Sequence, residues 1–312
     1  MGLTPTTCRT LIMLHKRVGF EGPLLTLGNQ DVWADYEQLK SFFGGLDCAY
    51  EEATVIPHTS WLLGRHPEAA NYVHARTFFE MMGIKEYNDI DKFEADAPCI
   101  LHDLNLPVPS ELEDRFGLIV DGGTIEHIFD VRQVMENLVR MCRQSGWVVH
   151  LTPSSNYIDH GFYSFSPCFF YDFYQANGFD EFTCYILQSN PENVYDPSPY
   201  FEYSYGMNMD GMLDPGRQIL IFFAAKKVSP SVRVVVPTQG VYESSLKSVP
   251  GHTLAAPAVG AAASNDSLTE RLVPAPLLPL LKPVRPFLWA LRRKLTGRGR
   301  DDVRSYRSLR KI

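Results

Sequence analysis

The stretch 116-FGLIVDGGTIEHIFDVRQVMENLVRMCRQSGWVVHLTPSSN-156 decides the fold. It opens with five residues, Phe116–Val120, that carry no charge and suit a fully buried strand. Asp121-Gly122-Gly123-Thr124 then breaks the run as a turn. Val134, Leu138 and Met141 fall on one stripe of a helix expected over Val131–Arg143, with Gly146 as its stop. A second apolar strand, Trp147–Leu151, closes at Thr152-Pro153. Strand, helix and strand in this order form a parallel unit with a right-handed crossover.

The same reading extends to both sides. Upstream, Leu24–Leu27 is a short buried strand stopped by Gly28-Asn29-Gln30, and residues 32–43 suit a helix. Glu68–Met82 suits another helix, stopped by Gly83, with strands expected at Ile84–Ile90 and Cys99–His102. Downstream, Ser166-Pro167 is a helix start and Asn177-Gly178 its end, because Ser caps well and Pro is tolerated at the first helical position. Phe182–Leu187 and Gln218–Ala225 complete seven strands in a mostly parallel, Rossmann-like α/β sheet with helices on both faces. Between these two strands, residues 190–216 carry Tyr195, Tyr200, Tyr203, Tyr205, Met207, Met209 and Met212 without a regular period. So long a segment, rich in aromatics, is expected to fold as a flap near a pocket.

The division expected is an α/β domain over 1–228, a flexible linker over 229–270 and a basic, Pro-rich amphipathic tail over 271–312. The chain's net charge is −7, yet from Lys282 onward eleven basic residues face two acidic ones, so residues 1–281 carry −16. An acidic body is a poor partner for nucleic-acid phosphates, and no specific nucleic acid is expected. The tail, with Trp289 among Arg292, Arg293 and Lys294, suits an anionic membrane surface. The apolar run Leu11–Leu14 is too short for a signal peptide. Six scattered cysteines without a CxxC pair fit a reduced, cytoplasmic setting.

Phe116–Asn156, with His160-Gly161-Phe162-Tyr163, Ser166-Pro167 and Asn177-Gly178-Phe179 after it, resembles class I S-adenosylmethionine (SAM)-dependent methyltransferases of the small-molecule group. The Glu126-His127 pair after the strand-four turn is the most specific element of that resemblance, which covers residues 20–228. It implies methyl transfer from SAM to a small molecule or glycan, with the cofactor outside the carboxyl ends of the strands. It implies contacts from Gly28 after strand one, from Asp89 (or Asp91) at the end of strand two, and from Asp103 and Leu104 after strand three. Gly122, Gly123 and Thr124 after strand four would complete the rim. The chain departs from the family's Gly-x-Gly-x-Gly turn, of which Gly28 alone stands. A catalytically inactive scaffold or binding module is therefore the alternative.

His127 and His160 are the candidate catalytic bases, since a neutral imidazole near pKa 6.5 accepts a proton at neutral pH. Glu126 and His127 could instead cap the next helix or bond each other. No metal is expected, because His102 and His150 lie within strands without clustered partners. Asp172 suits a solvated helix face.

Overall fold

The computed structural model describes residues 2–57, 70–93, 99–190, 199–230, 234–240 and 242. The chain separates into two compact units, Met1–Val249 and Pro250–Ile312. All of the second unit, and with it the basic tail and most of the linker, lies outside the described residues.

In chain order the first unit runs α1 (Pro5–Val18), β1 (Leu24–Leu27), β2 (Asp31–Asp35), α2 (Tyr36–Gly45), β3 (Tyr72–His74), α3 (Ala75–Met81), β4 (Tyr87–Asp91) and β5 (Ile100–Leu101). It continues with β6 (Phe116–Asp121), α4 (Val131–Met141), β7 (Cys142–Ser155), α5 (Pro167–Ala176), β8 (Phe179–Ser189), β9 (Tyr200–Glu202) and β10 (Gln218–Lys227). The main sheet has the order β5-β4-β1-β6-β7-β10-β8-β9. The strands β5, β4, β1, β6 and β7 pair in parallel, and β10 enters antiparallel between β7 and β8. This is the expected Rossmann-like sheet with one strand more: β9, from the Tyr-rich segment, adds antiparallel to the edge of β8.

The central strands alternate between two cores. Leu24, Leu118, Val120, Trp147 and Val149 face a cluster built with α1, α2 and α3. Leu25, Leu27, Ile119 and Val148 face the other side, with α4, α5 and the rings of Phe170, Tyr174 and Phe223. Burial of both faces explains why β1 and β6 read as unbroken apolar runs.

Several expectations are corrected here. The helix expected over 32–43 begins only at Tyr36, because Asp35 and Gln38 form a reciprocal capping box after the strand Asp31–Asp35. The helix expected over 68–82 is divided likewise: Tyr72–His74 is extended, and the His74 ring caps α3 through Arg76 N at 3.0 Å. The helix after β6 ends at Met141, before Gly146, which lies inside β7. The run Leu11–Leu14 belongs to α1, capped by Thr4 and ended by Gly19 at φ +66°. Among the described residues no helix is long and apolar enough to cross a membrane.

The described part of the 190–216 segment, expected to be a flap near a pocket, packs along the β8 edge and against α5. Tyr203 N donates to Cys184 O, Tyr171 Oη donates to Tyr203 O, and Tyr203, Met209 and Leu213 pack on the α5 side of the sheet. Asp172, read as solvated, accepts from Tyr205 Oη at 3.1 Å and Gly240 N at 3.2 Å. Asn177 exchanges hydrogen bonds with Val235, so packing against α5 continues past Val228.

One buried cation ties the layers. Lys227 Nζ donates to Val139 O (2.9 Å) and Cys142 O (2.7 Å) and thereby satisfies carbonyls at the C-terminal end of α4. Replacing Lys227 with Met leaves those carbonyls buried and unpaired. The expected loss, read from urea unfolding, is about 1–3 kcal/mol.

Candidate functional site at the strand ends

Asp121, the last residue of β6, is fully buried and organises the turn that follows it. Its Oδ1 accepts from Thr124 N at 2.8 Å and from Ile125 N at 3.3 Å. Its Oδ2 lies 2.8 Å from His150 Nδ1, and His150 Nε2 lies 2.6 Å from Tyr174 Oη. Burial pushes the Tyr174 phenol far above its ordinary pKa, so it stays protonated. Thr124 Oγ1 donates to Leu27 O at 2.6 Å and ties this turn to the end of β1.

Gly28, next after β1, has φ +72°, a conformation that favours glycine. A Cβ there would meet Asp91 Oδ2 at 3.4 Å and Thr124 Oγ1 at 3.5 Å. Gly28, Asp91 and Thr124 thus share one rim. The rim opens on a cavity of about 300 Å³ lined by Ile90, Asp91, Lys92, Phe93, His102, Asp103, Leu104, Asn105, Thr124, His127 and Ile128. These residues come from the carboxyl ends of β4, β5 and β6, where an open α/β sheet binds ligands. A second hollow, of about 240 Å³, is lined by Glu51, Glu52, Glu80 and Lys85 with Ala53 and Thr54, and shares no residue with this rim.

Of the residues singled out in the sequence, Asp103, Leu104, Thr124 and His127 line the cavity and Gly28 borders it. Asp89 does not line it. It is 5% exposed, inside β4, and the raised pKa of the Cys99 thiol, due first to burial, also reflects a hydrogen bond to Asp89. Asp91, one strand repeat further on, stands at the opening, with Oδ1 accepting from Phe93 N at 3.1 Å. Asp103 is held by Lys92 at 2.8 Å and accepts from Asn105 N and Nδ2. Those donors, Lys92 first, keep its carboxyl well below the usual range. His102 follows β5 rather than sitting in it, and its Nε2 lies 3.2 Å from Leu106 O.

Gly122 and Gly123 continue the β6 turn, Gly123 at φ +94°. A Cβ on Gly122 would fall 2.0 Å from Gln30 Oε1 and 3.4 Å from a Leu3 methyl. Gln30 therefore crosses the crevice between β1 and β6, with Nε2 donating to Leu27 O at 2.5 Å. Its buried Oε1 has no hydrogen-bond partner among the described residues. Sequence reasoning missed Gln30 and Leu3, because neither type signals a site.

Past the turn, a single 3-10 turn, Ile125–His127, carries Glu126 and His127. Neither caps the next helix; Asp130 does, accepting from Gln133 N at 3.0 Å. Glu126 is 0% exposed, and neither carboxylate oxygen has a hydrogen-bond partner among the described residues. Its Oε1 lies 3.9 Å from His127 Nε2 and 3.6 Å from His160 Nε2. The two imidazole rings lie 5.0 Å apart, and Tyr157 packs against His160. His160 arrives on a loop held to Glu126 O by Phe162 N at 2.7 Å and Tyr163 N at 3.3 Å. Gly161 permits this approach, since a Cβ there would meet Glu126 O at 2.8 Å. Phe129 and Phe162, 71% and 64% exposed, flank the cluster edge-to-face at 5.5 Å.

Burial, helped by the nearby Asp121 charge, pushes the Glu126 carboxyl up to about 8. Burial lowers both His127 and His160, so both imidazoles are neutral at pH 7. A carboxyl that holds its proton in the folded state up to about pH 8, and loses it near 4.5 when unfolded, makes stability fall as pH rises across that window. Glu126→Gln removes the buried charge. In chelator-containing buffer it is expected to raise the melting temperature over wild type at pH 8 and to change it little at pH 5.

No family model matches the chain, and no curated protein matches it. The fold class is set by the strand order itself: a Rossmann-like α/β sheet with its cavity at the carboxyl ends of the parallel strands. Among solved structures the chain is similar in fold to the YcgJ protein from Bacillus subtilis, at 11% identity and TM-score 0.40, covering 71% of this chain and 98% of that one. It is also similar to a SAM-dependent methyltransferase from Thermotoga maritima described as a possible histamine N-methyltransferase, at 12% identity and TM-score 0.35, covering 70% and 91%. A third is the 1,6-didemethyltoxoflavin-N1-methyltransferase of Burkholderia thailandensis, solved with S-adenosylhomocysteine bound, at 11% identity and TM-score 0.37, covering 72% and 78%.

Proposed function

We propose that this chain is a SAM-dependent methyltransferase acting on a small-molecule or glycan acceptor. The observation that carries the reading is the strand-end cavity: a carboxylate at the end of β4, an apolar floor from Leu104 and Ile90, and Gly28 at positive φ where a side chain would narrow the rim. Asp91 suits paired ribose hydroxyls, because an ionised carboxylate accepts two hydrogen bonds. Leu104, Ile90 and Ile128 suit one face of a purine. SAM supplies an electrophilic methyl group there. The chain's part is alignment, which removes most of the entropic barrier to an in-line displacement. His127 belongs to both the cavity and the Glu126 cluster, so His127 and His160 handle the acceptor's proton beside the transfer point. The exposed Phe129–Phe162 pair favours an acceptor with an apolar face.

A second reading, a catalytically inactive scaffold or binding module, is favoured by one feature: Gln30 and Leu3 fill the crevice above Gly122. Calorimetry with SAM separates the two on the full chain. Binding to wild type, weakened about tenfold or more by Asp91→Ala, is expected of the enzyme. Binding only after Gln30→Ala supports the closed scaffold. No binding to either chain at about 1 mM SAM rejects the nucleoside site altogether.

A further inference from the structure

We propose that Glu126, His127 and His160 form a binding site for one divalent transition-metal cation, of the zinc, cobalt, manganese or iron kind. One ligand atom from each residue lies within 4.8 Å of the other two. The Glu126 Oε1 separations of 3.9 and 3.6 Å are close to those of neighbouring ligands on one ion with bonds of about 2.1 Å. Small side-chain rotations of the two imidazoles, whose ligand atoms lie within 4.8 Å of each other, would close the shell.

Three features distinguish this cluster from an incidental meeting of polar groups. A carboxyl at 0% exposure, with both oxygens lacking a hydrogen-bond partner among the described residues, is costly unless a cation or donor occupies the space it faces. The buried His160 Nε2 also lacks a hydrogen-bond partner there. The His160 loop is anchored on the Glu126 backbone itself by two amides, with Gly161 permitting the close pass. The ligands are thus preorganised on a fixed turn. Two imidazoles and one carboxylate select transition metals over magnesium and calcium, which prefer all-oxygen shells. Three protein ligands leave coordination positions open.

The site stands independently of the methyl-transfer reading. Where that reading holds, the cation adjoins the cofactor cavity through His127. In the cation-bound form an acceptor hydroxyl would bind the ion and be acidified there, and the two imidazoles act as bases only in the cation-free form.

The test uses the full chain, stripped with chelator and titrated with Co²⁺ while visible absorption and bound stoichiometry are followed. The expected result is one ion per chain, with hyperfine-shifted proton NMR signals from two imidazole N–H groups. Glu126→Gln and His160→Gln should each weaken Co²⁺ binding by about tenfold or more, with the far-ultraviolet dichroism of wild type retained. Zn²⁺ should reverse the Glu126→Gln effect seen in chelator, making wild type the more stable protein at pH 8. Absence of bound Co²⁺ at about 1 mM, or of shifted imidazole signals from the wild-type chain, overturns the proposal whether or not the variants fold. So does unchanged affinity in the folded Glu126→Gln, His160→Gln double variant. None of these readouts involves SAM, so failure here leaves the methyl-transfer reading standing.

Discussion

The carboxylate of Asp121 is the contact on which the site depends. One oxygen fixes the backbone of Thr124 and Ile125; the other fixes the His150 imidazole, which Tyr174 holds from the far side. The turn after β6 is thereby tied to β7 and α5. Thr124 passes that constraint to β1 through Leu27 O, and the 3-10 turn that follows delivers Glu126 and His127. A fully buried carboxylate is tolerable only because each oxygen is paired. Losing the pairing would free the turn that lines the cavity and carries the cluster.

Glu126 is the counterpart to Asp121. It is as deeply buried and only a few residues away, but neither oxygen has a hydrogen-bond partner of ordinary geometry among the described residues; burial first, then the Asp121 charge, raises its pKa against the smaller opposing effect of its own backbone N–H. One carboxylate is satisfied and structural. The other is held in a form that a cation, or a proton, must complete.

The sheet was largely legible in the sequence, because β1, β6 and β7 are buried on both faces and so read as apolar runs bounded by Gly and Pro. The elements that escaped are those whose signal is not periodic. β2 and β3 are short and precede helices that absorb them; only the Asp35–Gln38 capping box marks the first boundary. β9 exists because the β8 edge was available, which no local pattern announces. At the strand ends, position could be read to within a residue or two, enough to put Gly28, Asp103 and Thr124 beside the cavity, while Asp89, preferred over Asp91, lies deeper in β4. The side-chain period of two decides little there, since both lie on one face of β4 and differ only in depth. The meeting of Glu126 and His127 with His160 depends on a long-range loop contact through Gly161, which spacing along the chain does not encode.

The most direct measurement is NMR of the full chain, with methyl-labelled Leu and Ile, in the presence of S-adenosylhomocysteine. Contacts between the adenine protons and the methyls of Leu104, Ile90 and Ile128 are the expected result, because these side chains line the strand-end cavity. Saturable binding without any such contact, or shifts confined to the hollow around Glu51, Glu80 and Lys85, would contradict the placement of a nucleoside at the carboxyl ends of β4, β5 and β6.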